Sequence, residues 1–171
     1  MRVFKDDLIE GIFSRKEIEK FIRSEKNLSL FNLISILDPV DEESNNINPI
    51  SNFYLKKFNS YIILRFYDTE TDSEEYPSIS TEQAKKLAKF IWKHRNEKFV
   101  IHCGAGISRS AGVGLAIECI VKHNGNKFEF ETSPCKIKEI PRYYPNLFVF
   151  NRICEEFNKL VNNKEILWKK K

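Results

Sequence analysis

Residues 100–112 read VIHCGAGISRSAG, and the setting of this stretch between an apolar run and a helical pattern decides how the chain is organised. Phe99, Val100, Ile101 and His102 make a short strand that feeds directly into CGAGISRS, after which Val113, Ala116, Ile117 and Ile120 recur at helical spacing. In a tight turn of this kind the backbone N–H groups of Gly104, Ala105, Gly106, Ile107, Ser108 and Arg109 can converge on one tetrahedral anion. The helix that begins near Ser110 adds the positive end of its dipole. Gly104 and Gly106 let the backbone come close, and the Arg109 guanidinium can hold two oxygens side by side, which a lysine cannot match. The segment therefore reads as an oxyanion cradle centred on Cys103, whose sulfur is held by the surrounding donors as the ionised thiolate. The Ser110 hydroxyl is placed to donate to that sulfur. His102, at the end of a buried strand, is read as orienting the loop through hydrogen bonds to loop carbonyls and pointing away from the anion, not as carrying protons.

Working outward, Ser80 to Gln83 form a capping box, and Ala84, Leu87, Ala88 and Ile91 set a helix running to about residue 96. Its lysines are expected on a solvated face. The acidic segment DTETDSEEYPSI, residues 68–79, has neither period and is broken by Pro77, so it is a loop. Residues 60–67 are nearly all β-branched, aromatic or aliphatic, as in a strand buried on both faces, and end at Asp68. An earlier strand over 29–37 stops at Asp38-Pro39 and gives way to the polar loop DPVDEESNNINP. Ile18, Phe21 and Ile22 mark a helix over 14–25 with Ser14 as its cap, and Phe150, Ile153, Cys154 and Phe157 mark a closing helix over 146–161. Strands alternating with helices predict an α/β single domain with a central, mostly parallel sheet flanked by helices. The domain is expected to span residues 1–163, with 164–171 as a solvated basic tail.

Composition narrows the partners. With 171 residues, 42% hydrophobic, the chain can bury one sizeable core. Lys+Arg 28 against Asp+Glu 24 mildly favours anionic partners but is far from a nucleic-acid-binding balance, so nucleic acid is a disfavoured partner. Cys103, Cys119, Cys135 and Cys154 lack the close pairing of zinc sites, and no metal is expected. Cys119, Cys135 and Cys154 are read as small apolar residues, and His94 and His123 as structural histidines. Charges arrive at once in MRVFKDDLIEG, and the longest apolar runs are strand-sized, so neither export nor a membrane partner is expected; the reading is a soluble, cytoplasmic monomer.

HCGAGISRS resembles the H-C-x-x-G-x-x-R-S/T loop of the cysteine-dependent protein tyrosine phosphatase superfamily. More closely it resembles the HCxAGxSRS loop of dual-specificity phosphatases, matched at His102, Cys103, Ala105, Gly106, Ser108, Arg109 and Ser110. The following helix reads GLAIECIV where those enzymes usually carry an A-Y-L-M-like stretch, as a divergent branch would. The resemblance implies a protein-tyrosine-phosphatase-like fold and a phosphomonoester hydrolase needing no cofactor, with Cys103 as nucleophile, a cysteinyl-phosphate intermediate, and Arg109 with residues 104–109 around the phosphate. It also implies an aspartic acid on an upstream loop that protonates the leaving oxygen and then activates water. Asp68 is preferred, because parallel strands would put it on the rim of the cysteine loop; Asp72 can swing in on loop closure, and Asp38 comes third. The implied substrates are phosphotyrosine or phosphoserine/threonine proteins. The alternatives are an RNA 5'-phosphatase and a phosphate-binding module with weak turnover. Phosphoinositides fit less well, since no lysine lies between Cys103 and Arg109.

Overall fold

Runs rich in Ile, Leu, Val and Phe pair in the interior as one sheet: β1 (Ile9–Phe13), β2 (Phe31–Leu37), β3 (Ser60–Arg65) and β4 (Lys98–His102), in the spatial order β1-β4-β2-β3. The computed structural model describes residues 8–39, 50–122 and 136–165. The first seven residues, most of the 38–49 loop, His123, Cys135 and the end of the tail lie outside the described residues. Each of the three strand pairs is parallel, so the sheet is wholly and not mostly parallel. Helices α1 (Arg15–Ser24) and α2 (Asn52–Leu55) cover one face, and α3 (Thr81–Lys93), α4 (Arg109–Lys122) and α5 (Leu147–Asn162) the other.

Alternate residues of a strand face opposite ways, and here both ways lead into core. Ile34, Ile36, Phe99 and Ile101 join the cluster under α3, α4 and α5, while Leu33 and Val100 join the one under α1 and α2. That double burial is why β2 and β4 read as unbroken apolar runs. Strand β3, expected to be buried on both faces, instead lies at the sheet edge with most of its residues part-exposed and Tyr61 44% exposed, because only one of its sides is paired, by β2. Helix α4 shows the same effect in another form, since Ala111 to Ile120 are all buried between the sheet and its neighbouring helices.

The caps fix the helix starts. Ser14 and Ser80 each accept a hydrogen bond from the third helical backbone N–H, and Glu17 and Gln83 reach back to the cap N–H groups. Helix α3 ends at Lys93, short of residue 96, and β2 begins at Phe31 after a single 3-10 turn over Leu28–Leu30. The largest departure from the sequence reading is β1, an edge strand it did not contain. IEGIF is short, includes a glycine and buries Glu10, which Lys98 meets at 3.2 Å, so its strand character comes from pairing with β4 and not from its own pattern. At the start of the tail the exposed Glu165 meets Lys85 and Lys89 of α3 at 3.2 and 2.9 Å. Cys119 and Cys154 lie in the core, as their apolar reading requires.

Because all four strands run the same way, their carboxyl ends share one rim. Ser14 and Arg15 follow β1, Asp38 follows β2, Phe66 to Asp68 follow β3, and Cys103 follows β4.

Candidate active site

The turn after β4 closes around its own cysteine. Cys103 is 2% exposed, and its Sγ receives the Gly106 backbone N–H at 3.3 Å and lies 3.0 Å from Ser110 Oγ. Gly106 has φ of +71°, a conformation that favours glycine, and a Cβ there would collide with the Ser14 backbone nitrogen. The unforeseen strand β1 supplies this wall: Cys103 N donates to Phe13 O at 3.3 Å, and Arg15 N donates to Gly104 O at 3.0 Å. On the other side Tyr144 N and Asn146 N donate to Ile107 O and Ser108 O, both at 3.2 Å. The loop is thus held by backbone bonds from two segments, with α4 starting at Arg109 directly beneath it.

Arg109 is 6% exposed, and its Nη1 donates to Asp38 Oδ1 at 2.6 Å and to the Phe66 carbonyl at 2.8 Å. Its Nε is buried without a hydrogen-bond partner. Two acceptors on Nη1 fix the plane of the guanidinium and leave its Nε edge, on which an oxyanion can bind in the paired geometry. Asp38, third choice as an acid in the sequence reading, sits instead against this guanidinium.

Asp68 Oδ1 accepts from Ser108 Oγ and from Asn146 Nδ2, each at 2.8 Å, so the structure brings Asp68 to the loop. Asp72 is elsewhere: Arg152 on α5 meets it at 2.7 Å and also donates to Ile79 O at 3.3 Å, which ties the acidic loop to that helix. Swinging Asp72 inward would break this pair. Ser35, Asn146 and Arg152 were not legible as site residues. The only local signal among them is Asn146, which follows Pro145 and opens a helical pattern.

His102 lies beside Ser35 across the β2–β4 register, and its Nε2 is 2.7 Å from Ser35 Oγ. Burial holds its pKa down to about 4, the Arg15 and Arg109 guanidinia push the same way, and the Cys103 backbone opposes them. The folded ring is therefore neutral where the unfolded chain, titrating near 6.5, binds a proton. More protons on the unfolded state means stability is lost on acidification, from about pH 6.5 down to about pH 4, in total on the order of 3 kcal/mol. Urea unfolding across that window is expected to show this slope, and His102→Asn to remove it. Glu17 acts lower, since the hydrogen bond from Arg142 holds its carboxyl down to about 2 and its contribution is lost only below about 4.5.

Among the described residues no group of three or more His, Cys, Asp or Glu is placed to hold a metal ion, and no helix is long and apolar enough to cross a membrane.

No family model matches the chain, and no curated protein sequence matches it. Solved structures do match in shape. Tk-PTP in its active form aligns over 91% of this chain and 95% of its own, at 15% identity and a TM-score of 0.56. PTPMT1 in complex with PI(5)P aligns over 91% and 94%, at 14% identity and a TM-score of 0.56. The human tyrosine phosphatase-like serine/threonine/tyrosine-interacting protein aligns over 78% and 80%, at 20% identity and a TM-score of 0.51. The class this defines is a fold: one α/β domain built as in the protein tyrosine phosphatases, the architecture that the HCGAGISRS loop led one to expect.

Proposed function

We propose that this chain is a cysteine-dependent phosphomonoester hydrolase of the protein tyrosine phosphatase superfamily, acting on phosphorylated proteins. The observation that carries the reading is Cys103 Sγ at the centre of its own loop, with the Gly106 amide and the Ser110 hydroxyl against it. The Cys103 thiolate attacks phosphorus, the bond to the leaving oxygen breaks, and Asp68 gives that oxygen its proton. Water then attacks the cysteinyl-phosphate and loses a proton to the Asp68 carboxylate. The S–P bond breaks, the sulfur departs as thiolate with Ser110 donating to it, and inorganic phosphate is released. Arg109 and the amides of residues 104–109 hold the charge on the phosphoryl oxygens in both steps.

Protein substrates are preferred because no lysine stands between Cys103 and Arg109 to meet the further phosphates of an inositide headgroup, even though PI(5)P is bound by one protein of similar fold. The general-acid role is tested with aryl phosphates of graded leaving-group strength. Asp68→Ala is expected to slow the poorest leaving groups by about 10²–10⁴-fold and the best ones little. Acid quench during turnover by the wild type should trap phosphate on Cys103. Equal slowing of every ester by Asp68→Ala would remove Asp68 from the role, and phosphate binding without turnover would leave a binding module.

A further inference from the structure

We propose that Asn146 is a positioning residue that presents Asp68 to the cradle with one oxygen fixed as acceptor and the other left to carry the proton. This rests on the reading of Asp68 as the proton donor and deepens it.

Asn146 is 3% exposed, and its polar groups are all used. Its Oδ1 accepts from Val149 N at 3.0 Å, capping α5, and its backbone N–H goes to Ser108 O at 3.2 Å. A cap alone needs only an oxygen, which serine or aspartate supplies equally well. What sets asparagine apart is its NH2 group, and both of its hydrogens cross to the Asp68 loop, to Asp68 Oδ1 at 2.8 Å and to Thr69 O at 3.1 Å. One buried residue therefore joins three pieces of the site, its side chain linking the start of α5 to the loop after β3 and its backbone N–H adding the phosphate loop. The backbone at this point is pressed onto α4, where a Cβ on Gly112 would lie 2.6 Å from Asn146 O, so the amide has little freedom to move.

The second donor on Asp68 sharpens the consequence. Ser108 Oγ also donates to Oδ1, at 2.8 Å, while among the described residues no hydrogen bond reaches Oδ2. An oxygen facing two donors acts as the carbonyl-type acceptor of a carboxylic acid, which leaves the hydroxyl on the other oxygen. Asn146 and Ser108 thus choose Oδ2 as the proton-bearing oxygen and set the direction in which it points.

The test compares phenyl phosphate, which needs an acid, with a fluorinated umbelliferyl phosphate, which does not. Asn146→Asp keeps the cap oxygen but sets a carboxylate against a carboxylate, and Asn146→Ala removes the amide altogether. In both, kcat on phenyl phosphate is expected to fall about 10–100-fold, with less than about a threefold change on the activated ester and in either KM. The ratio of the two rates does not depend on the fraction of enzyme folded, so it reports the acid alone. A ratio equal to the wild-type ratio in Asn146→Asp would overturn the proposal and leave Asn146 as a helix cap. Failure of the wild type to turn over either ester in a Cys103-dependent way would instead overturn the underlying phosphatase reading, and the proposal with it.

Discussion

Replacing Cys103 by serine is expected to lower turnover of an aryl phosphate by at least about 10⁴-fold while leaving oxyanion binding within about tenfold of the wild type. The two groups on the sulfur, the Gly106 amide and the Ser110 hydroxyl, are donors that stabilise charge on a thiolate. Neither is a base, so a serine hydroxyl in the same place has nothing to take its proton. His102 does not fill that role either: it is buried, held at Ser35, and kept neutral with little tendency to accept a proton. Binding should survive because the amides of residues 104–109 and Arg109 are untouched. Initial rates together with tungstate binding by calorimetry check both halves. Residual activity within tenfold of the wild type would show that the sulfur is not the nucleophile.

Arg109→Lys is expected to cost about 10²–10³-fold in kcat/KM, a larger loss than removing one ordinary charge contact. In the proposed mechanism Arg109 does two jobs with separate nitrogens. Its Nη1 is spent on Asp38 and the Phe66 carbonyl, which fixes the guanidinium, and its buried, unpartnered Nε edge remains for the oxyanion. A lysine has one ammonium and cannot stay with Asp38 and also span two phosphoryl oxygens. It would therefore either remain with the aspartate and leave the phosphate, or follow the phosphate and leave Asp38 unpaired. Steady-state kinetics alongside thermal unfolding separate the two, since only the second outcome lowers stability. Wild-type kcat/KM in the lysine variant would mean that Arg109 does not contact the transferred group.

How much of this could be read beforehand varies residue by residue. That Cys103, Ser110 and Arg109 share one tight turn between a strand and a helix was legible because the turn is made of consecutive residues, and consecutive residues are what a sequence displays. The helices were legible where a cap and an apolar period agreed, as at Ser80 with Ala84, Leu87, Ala88 and Ile91. Strand β1 was not, because its five residues carry no alternation and take their register from β4, ninety positions later where Ile9 pairs with Phe99. The preference for Asp68 over Asp72 followed from strand direction, and the structure brings Asp68 to the loop while tying Asp72 to α5. Asp38 was ranked by its place after a strand, with no means of seeing its partner.

By itself the sequence determined the layered α/β architecture, the starts of α1, α3 and α5 and the strand–turn–helix order around Cys103, all of which are signalled by residues a few positions apart. The tertiary structure alone decided that Asp38 meets Arg109 across 71 positions, that Asn146 meets Asp68 across 78, and that Arg152 meets Asp72 across 80. The physical reason is that these side chains come from separate strands and helices whose ends share one rim only once the parallel order β1-β4-β2-β3 is in place. Strand order is set by burying both faces of the sheet at once, a condition on the whole core that no local stretch of chain contains.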